Sequence, residues 1–182
     1  MSRVGNSPIP LPDGVEVSIE GAHVTVKGPK GELDRTFVGS LTVLHENGVL
    51  RVERHSEEDR QRALHGLTRS LLANMVTGVT TGFQRSLELV GTGYRAQQRG
   101  DGIVLSVGFS HPVEIEPMDG ISLEVEGQNR VHVKGINKES VGEQAARIRS
   151  VRKPNAYTGK GVRYVGEAVR VKPGKRAVGT GF

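Results

Sequence analysis

Two stretches of this chain carry one pattern. VLRVERHSEEDRQRALHGLTRS (49–70) and RVHVKGINKESVGEQAARIRS (130–150) align at an offset of 81, so that Leu50 falls on Val131, Val52 on Val133, Ser56 on Asn137, Leu64 on Ala145 and Leu67 on Ile148. Upstream, Gly21, Val24 and Val26 fall on Gly102, Leu105 and Val107 at the same offset. A solenoid needs about three or more stacked repeats. Two copies in 182 residues therefore predict a tandem duplication of one small domain, each copy burying its own core.

Within each copy the pattern is mostly strand. Val15, Val17 and Ile19 alternate as a half-buried strand does. A turn at 21–23 leads into Val24 and Val26, GPKG (28–31) is a second turn, and Leu33 to Phe37 follow. Asn47-Gly48 lies between LTVL and VLRV, the strongest short-range hairpin signal. In the second copy Leu87 and Leu89 lead to Tyr94, then the turn GDG (100–102), then Ile103, Leu105 and Val107, with further alternating runs up to Val133.

Each copy ends in a helix. Ser56 with Asp59 reads as a capping box, and Glu57, Glu58 and Asp59 suit the positive end of a helix dipole. Leu64, Leu67, Leu71 and Met75 form one apolar stripe, with Gly78 as the stop. In the second copy Asn137 caps, Val141, Ala145 and Ile148 form the stripe, and Pro154 ends the helix at or before Lys153. The spacing predicts an α+β fold. Two tandem duplicated domains, 1–82 and 83–182, each hold a small antiparallel sheet with one helix packed on a face.

Several function classes fall away at once. There is no cysteine, which removes disulfides, thiolate catalysis and Cys-type zinc sites and fits a cytosolic setting. The N-terminus has no apolar run of a secretory signal, and no stretch approaches the ~18 apolar residues of a membrane span. The six histidines show no ligand spacing, and surface or turn roles account for them better than a metal site. GTGYRA (91–96) matches G-x-G-x-x-A, but that pattern holds a dinucleotide only where it opens a helix. Here QQRGDG and the alternating IVLSV follow, which is a hairpin. Gly159-Lys160 lacks phosphate-loop spacing. No cofactor and no enzymatic activity are expected.

Charge is segregated. Residues 147–182 hold ten Lys or Arg against one acid, Glu167, a net +9, whereas the first 146 residues net −4. The segment from about 151 interleaves its cations with Tyr157, Tyr164, glycines and two prolines. Each component matches a need of nucleic-acid binding. Cations neutralise phosphate and release counterions. Tyrosine rings stack on exposed bases, and glycines let a sugar-phosphate chain approach. Such a segment buries little and is expected to order mainly against its partner. The same features fit a solvated, solubilising tail, and either tyrosine fits packing on the second sheet. Charge and tyrosine alone leave RNA, DNA and acidic protein open as partners.

PNAYTGKGVRYVGE (154–167) resembles the P-x-P-Y-K-G-K-G-I-R-Y signature of the ribosomal protein L-six family, in its bacterial form. ELVGTGYRAQ (88–97) resembles that family's G-V-G-Y-R-A segment, and SRVGNSPIPLPDGV (2–15), VKGPKGEL (26–33) and HGLTRSLLANMVTGVTTGF (65–83) are similar to it as well. Ala156 stands where the signature has its second proline, and Thr158 where it has Lys. The resemblance implies two duplicated domains and binding to large-subunit ribosomal RNA, chiefly through the second. It also implies neighbouring large-subunit proteins and a place near the sarcin–ricin loop and stalk base, with translation factors nearby. No membrane and no small-molecule substrate are implied. The residues expected at RNA are Gly93, Tyr94 and Arg95 in the glycine loop, with Lys153, Tyr157, Lys160, Arg163 and Tyr164 after the second helix. Lys172, Lys175 and Arg176 of the tail complete the set.

Overall fold

The computed structural model describes residues 3–39, 41–46 and 48–175. Their contacts divide them into two compact units, one running to Phe83 and taking in Gly135–Lys138, the other comprising Gln84–Lys134 and Glu139 onward.

The first copy contains β1 (Ile9–Pro10), β2 (Glu16–Glu20), β3 (His23–Gly28), β4 (Gly31–Thr36), β5 (Leu41–Glu46), β6 (Val49–Arg54) and α1 (Asp59–Thr80). The strands make two antiparallel three-stranded sheets, β2-β3-β4 and β1-β6-β5. Strand β5 pairs with β6 with Glu46 opposite Val49, leaving a two-residue connection. Gly48 has φ 73° there, the sign a tight hairpin turn demands, and Asn47 lies outside the described residues. Alternation then sets the core. Val24 and Val26 of β3, Val43 of β5, and Leu50 and Val52 of β6 point inward onto Leu72, Met75, Val76 and Val79 of α1.

The second copy contains β7 (Phe83–Val90), β8 (Arg95–Arg99), β9 (Gly102–Ser106), β10 (Val113–Ile115), β11 (Ile121–Glu126), β12 (Arg130–Gly135), α2 (Lys138–Val151) and β13 (Gly161–Tyr164). Its sheets are β8-β9-β10 and β11-β12-β7-β13. The order β7-β12-β11 repeats β1-β6-β5, and β8-β9-β10 repeats β2-β3-β4. The duplication is thus one of topology, in an α+β fold whose strands divide into two small sheets per copy. Among the described residues one strand has no counterpart: β13, at the open edge of β7.

The helices depart from expectation in detail. In α1 the inward positions are His65, Thr68, Leu72, Met75, Val76 and Val79, and Leu67 is 53% exposed. Strands β6 and β12 align at the offset of 81, but burial in α1 matches that of α2 at 80: His65 with Ala145, Thr68 with Ile148. One residue of slip turns a helix by about 100°, which carries Leu67 out and His65 in. The imidazole is satisfied there: Nε2 donates to the Val52 carbonyl at 2.8 Å, and Nδ1 accepts from the Arg54 guanidinium at 3.3 Å. Hydrophobic periodicity counts histidine as an outward residue and has no term for a carbonyl waiting inside.

The capping box is also displaced. α1 begins at Asp59 with Glu58 in the N-cap position and no side-chain cap. Ser56 Oγ instead accepts the Glu58 N–H at 3.3 Å, and Glu57 is drawn to Arg54 and Arg62. Gly78 does not stop the helix, which continues to Thr80. A Cβ at Gly78 would stand 2.1 Å from the Ile136 carbonyl oxygen, so its glycine answers a close approach. α2 begins directly after Asn137, as the cap reading requires, and ends at Val151, ahead of Pro154.

Candidate nucleic-acid interface

The basic segment is built onto the second sheet. After α2, the chain closes a loop on itself: Val162 N–H donates to the Arg152 carbonyl at 2.8 Å, Asn155 N–H to the Lys160 carbonyl at 2.9 Å, and Gly159 N–H to the Asn155 carbonyl at 2.9 Å. Asn155 Oδ1 accepts from the backbone of Tyr157 at 2.7 Å and Thr158 at 3.2 Å, so one side chain organises the turn. Gly161 (φ 152°) runs against Pro154, where a Cβ would come within 2.7 Å of backbone atoms. Strand β13 then pairs antiparallel with β7, and Val162 is fully buried. Beyond it Lys172 N–H returns to the Ala156 carbonyl at 2.7 Å, and Val171 lies over the buried Gly159. Ordering of residues 152–172 therefore has its own hydrogen bonds and a buried anchor. This corrects the expectation of a segment ordered mainly against a partner: the missing element was an edge strand.

That folding sorts the cations. Arg147 pairs with Glu143, Arg149 with Glu167, and Arg163 with Glu88 directly opposite it across β13 and β7. Arg152, Lys153, Lys160, Arg170, Lys172 and Lys175 have no carboxylate partner among the described residues. Arg176 lies outside them. Paired arginines hold the sheet and helix together; unpaired cations stand at the loop and along the returning tail.

The tyrosines sort in the same way. Tyr164 is half-buried, with the guanidinium carbons of Arg85 and Arg149 each 5.6 Å from its ring centroid. Its faces are engaged. Tyr157 is 61% exposed. Tyr94 follows Gly93 (φ 78°) and lies between Gly91 and Gly108, where added Cβ atoms would come within 3.0 and 3.3 Å of its ring. Arg95, the first residue of β8, is exposed and unpaired among the described residues. The GTGYRA segment thus opens a hairpin, β8 with β9, and has no helix end to receive a pyrophosphate.

Tyr94, Arg152, Lys153, Asn155, Thr158 and Lys160 line one open groove of about 320 Å³. The structure so joins three of the expected residues, from segments some sixty positions apart, and adds Arg152, Asn155 and Thr158. Asn155 had a local signal in its Asn-x-x-x-Gly spacing. Arg152 had none beyond its charge. Arg163 and Tyr164 are turned to the sheet instead. No group of three or more His, Cys, Asp or Glu suited to a metal occurs among the described residues. No helix among them is long and apolar enough to cross a membrane.

Glu167, the one acid of the segment, is held below the ordinary carboxylate value of 4.5. The Arg149 guanidinium is the main cause, and the Tyr164 backbone N–H at 3.0 Å adds to it. A lowered folded pKa contributes stability that is complete above 4.5 and lost as pH falls through the lowered value. Glu167→Gln should cost about 1 kcal/mol at neutral pH, a charge-assisted bond discounted for partial exposure. The gap in urea midpoint between wild type and variant should be constant above pH 4.5 and close below it. A gap that persists in acid would separate the stabilisation from the carboxylate charge.

The model for "Ribosomal protein L6" matches residues 11–82 and 90–165. The chain belongs to the ribosomal protein L6 family. It is 59% identical over 175 residues to the large ribosomal subunit protein uL6 of Halalkalibacterium halodurans, covering 96% of this chain and 98% of that one. It is 55% identical over 175 residues to uL6 of Carboxydothermus hydrogenoformans, covering 96% of each, and 57% identical over 176 residues to uL6 of Acidothermus cellulolyticus, covering 96% and 98%. The two matched segments fall one in each copy, and the family is one of structural ribosomal proteins rather than enzymes. Strand β13 and all six residues lining the groove lie inside the second L6 match.

Proposed function

We propose that this chain is a structural constituent of the large ribosomal subunit that binds large-subunit ribosomal RNA mainly through its second domain. The observation that carries the reading is the groove where Tyr94 meets Arg152, Lys153 and Lys160, cations with no carboxylate partner among the described residues. An aromatic ring, several unpaid cations and hydroxyl and amide groups on a glycine-rich backbone match a folded sugar-phosphate surface. Contacts there read RNA shape more than sequence. The division of labour runs at 1–82 and 83–182, with the acidic first domain meeting protein neighbours or solvent. Family membership supports a site near the sarcin–ricin loop and stalk base, where translation factors dock, in cytoplasmic ribosomes. The chain should co-sediment with large subunits through a high-salt wash. Its release into the soluble fraction would favour a free nucleic-acid-binding module.

A further inference from the structure

The turn between β9 and β10 carries a feature with no role in the core. Phe109 is 42% exposed and His111 is exposed beside it. Their rings lie 6.1 Å apart between centroids with 15° between planes. The Arg152 guanidinium carbon stands 5.0 Å from the Phe109 centroid. A lone exposed phenylalanine on a turn asks for no explanation. Three flat groups gathered outside the core do, since each has a face suited to another flat group. The cluster also continues the groove: Arg152 lines both, and Gly108, next to Phe109, lies against the Tyr94 ring.

We infer that Phe109, His111 and Arg152 form a stacking site for an unpaired RNA base at the end of the groove. The inference rests on the reading of the groove as an RNA surface. The chemistry selects a nucleobase over a phosphate, because two neighbouring rings offer π faces where a phosphate would seek several cations and N–H donors. It selects an unpaired base, because a base inside a helix has its faces covered by its neighbours. Phosphates along Arg152, Lys153 and Lys160 would fix the strand, and the base would turn out onto the ring surface of Phe109 and His111 that stays exposed beside Arg152. Arg152 keeps one role in each part, as guanidinium on the ring and as cation in the groove.

The test uses the full chain and a large-subunit ribosomal RNA transcript. Phe109→Leu with His111→Gln removes the ring faces on an exposed turn while leaving every lysine and arginine in place. Affinity should fall by about fivefold to a hundredfold, the loss of one stacked base. The slope of log K against log salt should stay unchanged, since no cation is lost. Ultraviolet cross-links between the RNA and the peptide holding Phe109 should disappear. Unchanged affinity in this variant, alongside weakened binding when Lys153 and Lys160 are replaced, would sink the stacking site and leave the groove standing. Wild-type binding by both variants would show that the RNA is held elsewhere, and would remove the groove as the RNA surface together with this inference. Intact RNA binding combined with loss of a protein from reconstituted subunits would assign the cluster to a protein neighbour and overturn the proposal.

Discussion

Lys153→Ala combined with Lys160→Ala should weaken binding to large-subunit ribosomal RNA by roughly a hundredfold near 0.1 M salt. It should lower the slope of log K against log salt by about 2. Both ammonium groups line the groove and neither has a carboxylate partner among the described residues. Each therefore brings its whole charge to a phosphate and releases close to one counterion, worth about tenfold at this salt. The informative control is Arg163→Ala. Arg163 carries the same charge a few residues away, but its Nε donates to Glu88 Oε1 at 2.5 Å. Removing it should leave the salt slope nearly unchanged and loosen the β13 edge instead, seen as a lower urea midpoint. An equal fall in slope for Arg163 and for either lysine would mean that total charge, not the sorting of cations by the fold, governs binding.

Gly161→Ala is expected to cost about 3 kcal/mol of stability, more than any other single methyl in this region. Two penalties coincide at one atom. The backbone φ of 152° lies where residues with a Cβ are strained. The new methyl would also stand 2.7 Å from Pro154 N and Cα and 2.8 Å from the Lys153 carbonyl oxygen. Overlap with backbone cannot be relieved by a rotamer change and typically costs about 1–3 kcal/mol. The loop must then separate from β13, which carries Lys153 and Lys160 out of register. RNA affinity should fall although no cation has been removed. Gly166→Ala is the comparison: φ is 81° but no atom lies within 4 Å of its Cβ position, so it should show strain alone and keep the groove. Urea unfolding with salt-titrated RNA binding on both variants separates the two effects. Equal stability losses would place the cost in φ and not in packing against Pro154.

Replacing only the extension's charges is a cleaner probe of the groove than ending the chain at Val151. Such a truncation removes β13 and the fully buried Val162. It exposes the edge of β7, and lost binding would then report a damaged sheet as much as a missing cation.

The amino-acid order by itself determined the repeated α+β architecture. Alternating valines and leucines with turn residues between them fix strands and their inward faces, and the offset of 81 joins β6 to β12 residue for residue. It also located the groove's lysines, because cations, glycines and tyrosines concentrate after the second helix in the string itself, whereas Tyr94 joined them only through the family resemblance. Only the tertiary structure decided which of those cations are free. Glu88 meets Arg163, and Glu167 meets Arg149 and the Tyr164 backbone, because β13 lands on the edge of β7. No local pattern announces that pairing, since a four-residue strand is specified by the edge it completes. The rotation of α1 was hidden for a related reason. Apolar spacing weighs side chains one at a time, whereas His65 is buried by a carbonyl and a guanidinium contributed by β6. Local propensity and periodicity are properties of a segment, but the satisfaction of a charge or a polar atom belongs to the partner that the fold brings to it.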